Sequence, residues 1–295
     1  MSNVLDPKIL SRMERLDLVA RFVVEGFLSG RHKSPYRGYS VEFSQHRAYA
    51  PGDDSRHIDW KAYGKTERYY LKEYQQETNL IAHVLVDVSK SMEYRNEHLA
   101  KIDYAKIAAA SLAFLILDQQ DMAGVYSFGK YLKVTTEPTG RMAAFYDMCE
   151  KLLSLKTAGD GQVAPALHQA AEMIKRRGVV VVISDFLSDV NETLRGLEHL
   201  RFEGHDVLAL HVLDKAEIEF PFSGTCVFEG LEGGGSVLTD APRIRKRYKT
   251  ALAEFLERLR SGCVRAQVDY LRTDTSQPLE RILAAYLISR GRRRR

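Results

Sequence analysis

The chain has 295 residues, 45% of them hydrophobic and 28% charged, with a formal net charge of +4. That composition is ordinarily globular and long enough for one large domain or two ordinary ones, which excludes disordered and fibrous classes. No apolar run approaches the ~20 residues a bilayer span needs.

The chain begins MSNVLDPKILSRMERLD, with charges where a secretory signal would be apolar. The three cysteines, Cys149, Cys226 and Cys263, are far apart and odd in number, which argues against a disulfide framework and fits a reducing cytoplasm. A cytoplasmic protein without a membrane span is the expectation.

In chain order, Ile9, Met13, Leu16, Leu18, Val19 and Phe22 to Val24 suggest an amphipathic helix that breaks near Gly26 to Gly30. Residues 31–78 are rich in Gly, Tyr, Arg and Asp, without sustained periodicity. From Leu80 the pattern alternates. Leu80–Val86 reads as strand and Ala100–Leu117 as an alanine-rich helix. Gly124–Phe128 and Tyr131–Thr135 read as paired strands across Gly129-Lys130. Met142–Leu155 and Ala164–Arg176 read as helices. Val179–Ile183 is fully apolar, as in a parallel strand covered on both faces. Glu192–Arg201 reads as helix and Asp206–Val212 as strand. Lys215–Thr239 reads as short β segments with glycine turns. Ile244–Leu259 is a helix, Arg265–Leu271 a strand and Leu279–Ser289 a closing helix. The alternation predicts an α/β fold with a doubly wound, mostly parallel, Rossmann-like sheet. The expected divisions are an irregular extension over 1–79, a main domain over 80–290 with a small β insertion at 215–242, and a basic tail over 291–295. That tail reads as a solvated run or as a non-specific contact with nucleic acid or anionic lipid, and no specific nucleic-acid partner is expected.

The first strand of the main domain runs into Asp87-x-Ser89-x-Ser91. Three oxygen-bearing side chains at alternate positions, where a buried strand ends, suit a small hard cation such as Mg²⁺. The carboxyl ends of strands are also where open α/β sheets keep their sites. In a Rossmann-like order the end of Val179–Ile183 lies beside them and adds Ser184 and Asp185. On residues alone the competing reading stands beside this one: Asp87 and the serines cap a helix or close a turn.

A second notable segment is Arg47-x-Tyr49-x-Pro51-Gly52-Asp53-Asp54-x-Arg56-His57-Ile58-Asp59-Trp60. Pro51-Gly52 signals a type II turn. Asp53, Asp54, His57 and Asp59 could form a hydrolase-like metal cluster. The commoner arrangement is that Asp and Arg side chains tie down an irregular loop, with Trp60 packed beneath. Gly64-Lys65-Thr66 is not a phosphate loop, because Asp59 stands where the motif needs glycine. Gly233-Gly234-Gly235 reads as a turn. His83 reads as a core or sheet-face histidine. Tyr63, Tyr69, Tyr70 and Tyr74, interleaved with basic residues, read as strand faces or a partner contact before base stacking.

These residues carry two resemblances. Leu80–Asp185 resembles a von Willebrand factor type A domain with its metal-ion-dependent adhesion site, and Asp87, Ser89, Ser91 and Asp185 match that motif. The resemblance implies Mg²⁺ or Mn²⁺ as cofactor and a partner's acidic residue completing the shell. The motif's threonine aligns with Gly161, so a hydroxyl ligand is missing and Asp160 or water has to substitute. The PGDDxRxIDW pattern together with Asp87-x-Ser89-x-Ser91, over about Ser29 to Arg290, resembles the domain of unknown function 58 family, whose members are often encoded beside MoxR-type AAA+ ATPases. What this implies is a non-enzymatic adaptor acting with a MoxR-type ATPase or its client. In that reading Asp53, Asp54, Arg56, Asp59 and Trp60 form a conformational or partner segment. The alternatives are a scaffold whose metal site has decayed and a metal-dependent hydrolase built on the PGDD segment.

Overall fold

A computed structural model describes residues 15–31, 47–48, 63–64, 69–71, 80–97, 99–159 and 161–293. The chain divides into two compact units, Gly30–Asn79 and the remainder, Met1–Ser29 with Leu80–Arg295. In the smaller unit, β1 (Arg47–Ala48) and β2 (Tyr70–Leu71) pair antiparallel, and the Tyr63 and Tyr69 rings stack at 4.5 Å.

The larger unit is a six-stranded sheet between two layers of helices. Its strands are β3 (Ile81–Asp87), β4 (Met122–Phe128), β5 (Leu132–Thr139), β6 (Val179–Ser184), β7 (Asp206–Leu213) and β10 (Asp269–Asp274), in the order β10-β7-β6-β3-β4-β5. All neighbours are parallel except β5, which turns back antiparallel on β4. Numbered within the sheet alone, this is the order 3-2-1-4-5-6 of doubly wound nucleotide-binding folds, and the reversal falls between β3 and β6. The α/β class and the mostly parallel sheet expected from the alternation are therefore those found.

Alternation along each strand divides the core. Val84, Val86, Val179, Val181 and Ile183 face one layer, made by α1 (Leu16–Arg31), α2 (Lys101–Asp118), α3 (Phe145–Ser154) and α8 (Glu280–Arg293). Leu85, Val180 and Val182 face the other, made by α4 (Val163–Met173), α5 (Val190–Phe202) and α7 (Ala241–Arg265). Each such aliphatic side chain stabilises the fold by roughly 1.5–3 kcal/mol on burial. Every residue of β3 and β6 is buried, which is why neither shows a polar face. Helix α2 lies at the middle of its layer, buried nearly all round, and its alanines let it approach the sheet closely.

Several elements depart from expectation. Helix α1 does not break at Gly26 but continues to Arg31, and its Val19, Ala20, Val23 and Val24 enter the main core. That burial outweighs the ~1 kcal/mol an interior glycine costs, and the helix belongs to the larger unit. Helix α7 runs to Arg265, so β10 starts at Asp269; Gly262 lets it cross α5, since a Cβ there would lie 2.2 Å from Leu194 Cδ1. Lys215–Glu219 is a helix, α6, closed by a capping box in which Asp214 and Glu217 satisfy each other's backbone N–H groups. The β segments there reduce to one hairpin, β8 (Thr225–Glu229) and β9 (Ser236–Asp240). Finally, α8 continues into the basic run as far as Arg293. No helix among the described residues is long and apolar enough to cross a membrane.

Candidate metal centre

Strand β3 delivers Asp87 to the crest of the sheet, and β6 delivers Ser184 and Asp185 beside it, at the point where the strand order reverses. Ser184 Oγ donates to Asp87 Oδ2 at 2.5 Å, and the Ser89 N–H donates to Asp87 Oδ1 at 2.8 Å. The chain then turns through a short 3-10 segment, Lys90–Glu93, which brings Ser91 back over Ser89. Their hydroxyls stand 3.0 Å apart, and all three side chains are buried. The structure thus brings Asp87, Ser89, Ser91 and Asp185 into one cluster, and Ser91 and Asp185 interact electrostatically.

Asp185 is already engaged. Its Oδ2 accepts from Lys101 Nζ at 2.8 Å and its Oδ1 from the Leu187 N–H at 3.1 Å. Lys101, in the first turn of α2, is fully buried and divides its ammonium between Asp185 and Glu217, also at 2.8 Å. Burial opposes the charge on Lys101, yet the two carboxylates hold its pKa above the ordinary lysine value. Burial alone would raise Asp185, but the Lys101 ammonium holds it below the usual carboxylate range; Glu217 is pushed above it, chiefly by burial. Phe186, next in the chain, has φ +50°, a conformation bulky residues rarely adopt, and its N–H is tied to Ser184 Oγ at 2.8 Å. Such strain, of order 1–3 kcal/mol, is held by the packing around it.

Among the described residues no cationic side chain pairs with Asp87. Burial, and then the charge of Asp185, push its pKa up to about 7. A carboxylate so placed, beside two hydroxyls, suits a hard divalent ion. The Ser89 and Ser91 hydroxyls hydrogen-bond each other at 3.0 Å, a spacing that is also compatible with adjacent corners of a Mg²⁺ octahedron, which at Mg–O distances of about 2.0–2.1 Å are about 2.9 Å apart. Among the described residues no group of three or more His, Cys, Asp or Glu side chains could hold a metal ion, at the crest or elsewhere, so a cation here would depend on the serine hydroxyls.

Gly161, aligned with the missing threonine, does stand at this site. A Cβ on it would lie 2.9 Å from Ser89 Cβ and 3.2 Å from Ser89 Oγ. Asp160 lies outside the described residues, as do Asp53, Asp54, Arg56, His57, Asp59 and Trp60. Residues outside the expected ligand set complete the surroundings. Lys101 gave no signal beyond opening an apolar helix, whereas Glu217 was legible in the spacing Asp214-x-x-Glu217 of a capping box. Glu232, at the tip of the β8–β9 hairpin, accepts from the Ser91 N–H at 3.3 Å. His83 is a core histidine, its Nδ1 3.1 Å from Tyr126 Oη. All three cysteines are free.

The fold and this crest define a doubly wound α/β protein with a carboxylate and hydroxyl cluster at its topological switch point. The model of the family "Protein of unknown function DUF58" matches residues 45–258, and the chain belongs to that family. An uncharacterized protein of Mycobacterium tuberculosis is 30% identical over 233 residues, 78% of this chain and 73% of its own length. Among solved structures, BatB of Bacteroides thetaiotaomicron is similar over 72% of this chain and 98% of its own, at 16% identity and a TM-score of 0.47. The VWA domain of SpRpn10 is similar over 69% of this chain and 93% of its own, at 14% identity and a TM-score of 0.39.

Proposed function

We propose that this protein is a non-enzymatic interaction adaptor whose crest takes Mg²⁺ or Mn²⁺ and presents it to an acidic group on a protein partner. Asp87, Ser89 and Ser91 hold the ion, and Asp185 stands behind them, its charge set by Lys101. When bound, the ion supplies an electrophilic coordination position. The residues supply the rest: Ser184 and the Ser89 N–H fix the Asp87 carboxylate, and the 3-10 turn sets the hydroxyl spacing. The observation that carries the reading is that hydroxyl pair, 3.0 Å apart beside a buried, cation-poor carboxylate. On the family resemblance, the partner is a MoxR-type AAA+ ATPase or its client, met in the cytoplasm.

A second reading, a scaffold that binds its partner without metal, is favoured by Gly161 and by the lysine that already neutralises Asp185. The hydrolase alternative rests on Asp53, Asp54, His57 and Asp59, outside the described residues.

Thermal unfolding with Mg²⁺, Mn²⁺ or a chelator separates the first two. A cation at ten to a hundred times its dissociation constant stabilises by about 1.4–2.7 kcal/mol. Wild type should gain a visible rise in Tm that Asp87→Ala loses. No rise in wild type at millimolar cation would leave the metal-free scaffold as the better reading.

A further inference from the structure

We propose that Glu232 is this chain's own replacement for the oxygen that Gly161 omits, so that the β8–β9 hairpin closes the cation site from within the same chain. The inference rests on the cation reading above and names a ligand that the sequence motif does not contain.

The geometry points to it from two sides. A Cβ built on Gly161 would lie 3.3 Å from Glu232 Oε1, as well as 2.9 Å from Ser89 Cβ. The space a threonine would fill is therefore bounded by the serine it would crowd and by the glutamate that has moved in. From the other side, the Ser91 N–H donates to the same Oε1 at 3.3 Å, across 141 residues of sequence. The tip is shaped to make that reach. Gly233, Gly234 and Gly235 have φ of +102°, +90° and +79°, and a Cβ on Gly230 would lie 2.1 Å from the Gly233 carbonyl oxygen. Only glycine forms such a turn without strain. The foot of the hairpin is held separately, where Phe220 packs against Phe228, Phe222 and Tyr248 at 4.6–5.6 Å.

The buried lysine of the crest is divided between Asp185 and Glu217 and does not serve Glu232. A divalent ion held by Asp87, Ser89 and Ser91 uses Glu232 as an oxygen ligand in place of the absent hydroxyl. An acidic partner then reaches the ion only by displacing Glu232, and the hairpin moves with it.

The test is Mn²⁺ titration, with free Mn²⁺ read by electron paramagnetic resonance, on wild type, Glu232→Gln and Asp87→Ala. It is paired with amide hydrogen exchange over residues 225–240. Glu232→Gln keeps the size of a tip side chain and leaves the core untouched, so folding is preserved. Wild type should bind Mn²⁺ and show slower exchange in the hairpin on binding. Glu232→Gln should bind about tenfold more weakly and lose that protection. Equal Mn²⁺ affinity in wild type and Glu232→Gln, with hairpin exchange indifferent to metal, overturns the role of Glu232 while leaving the site at Asp87 intact. Absence of Mn²⁺ binding in wild type overturns the cation reading itself, and this inference with it.

Discussion

The crest of the sheet and the β8–β9 hairpin meet at Ser91 but are built on opposite physics. At the crest, Asp87, Ser89, Asp185 and Lys101 are almost wholly buried, and each charge is set by its neighbours. On the hairpin, Val227, Val237 and Leu238 are exposed, and the strands lean on an aromatic foot. The crest has the order that fixes ligand positions to fractions of an ångström. The hairpin has the exposed backbone and few buried side chains of a region that opens at low cost. A buried half and an exposed half meeting at Ser91 is the arrangement that the proposed site requires.

The largest effect that would test this contrast is at Lys101. Lys101→Ala leaves Asp185 and Glu217 buried without their shared cation, which should cost about 3–5 kcal/mol in urea unfolding. A loss as small as a surface substitution gives would mean that water reaches the crest and that the contrast fails.

Acid should be next. His83 lies in β3 against Tyr126, with the His205 ring 6.2 Å away, and burial, then His205, lower its pKa to about 4. The folded state keeps it neutral while the unfolded chain takes up a proton near pH 6.5. Its contribution is therefore whole above pH 6.5 and is lost as pH falls toward 4. Between pH 7 and 4.5 that amounts to about 2–3 kcal/mol. Urea midpoints at the two pH values should separate less in His83→Gln than in wild type.

The smallest effect is on the hairpin surface. Leu238 is 71% exposed, and Leu238→Ser should shift the unfolding midpoint by less than about 0.5 kcal/mol. A loss of several times that would show that this face is covered and would sharpen the search for what covers it.

Much of this architecture was readable from residue order. The apolar run Val179–Ile183 could only be a strand covered on both faces, and Asp87-x-Ser89-x-Ser91 marked the end of its neighbour. What misled was local signal that packing overrode. Gly26 argued for a break, but α1 buries Val23 and Val24 just before it and continues to Arg31. Arg265 looked like the start of a strand, but Gly262 against Leu194 lets α7 run on as far as Arg265, and the strand begins only at Asp269. Lys215 to Glu219 looked like part of a run of short β segments, although Asp214 and Glu217 form a short-range capping pair that the sequence does contain.

The sequence by itself determined the alternation of strands and helices, the placement of Asp87, Ser89 and Ser91 at a strand end, and the glycine turn at 233–235. These depend on periodicity, propensity and spacing within a few residues. Only the tertiary structure decided that β6 lies beside β3, that Lys101 serves Asp185 and Glu217 at once, and that Glu232 reaches the space left by Gly161. Those contacts span 84, 116 and 141 residues for Lys101–Asp185, Lys101–Glu217 and Ser91–Glu232. Contacts at such separations leave no local periodicity, because they arise when crossovers fold distant segments onto one edge of a common sheet.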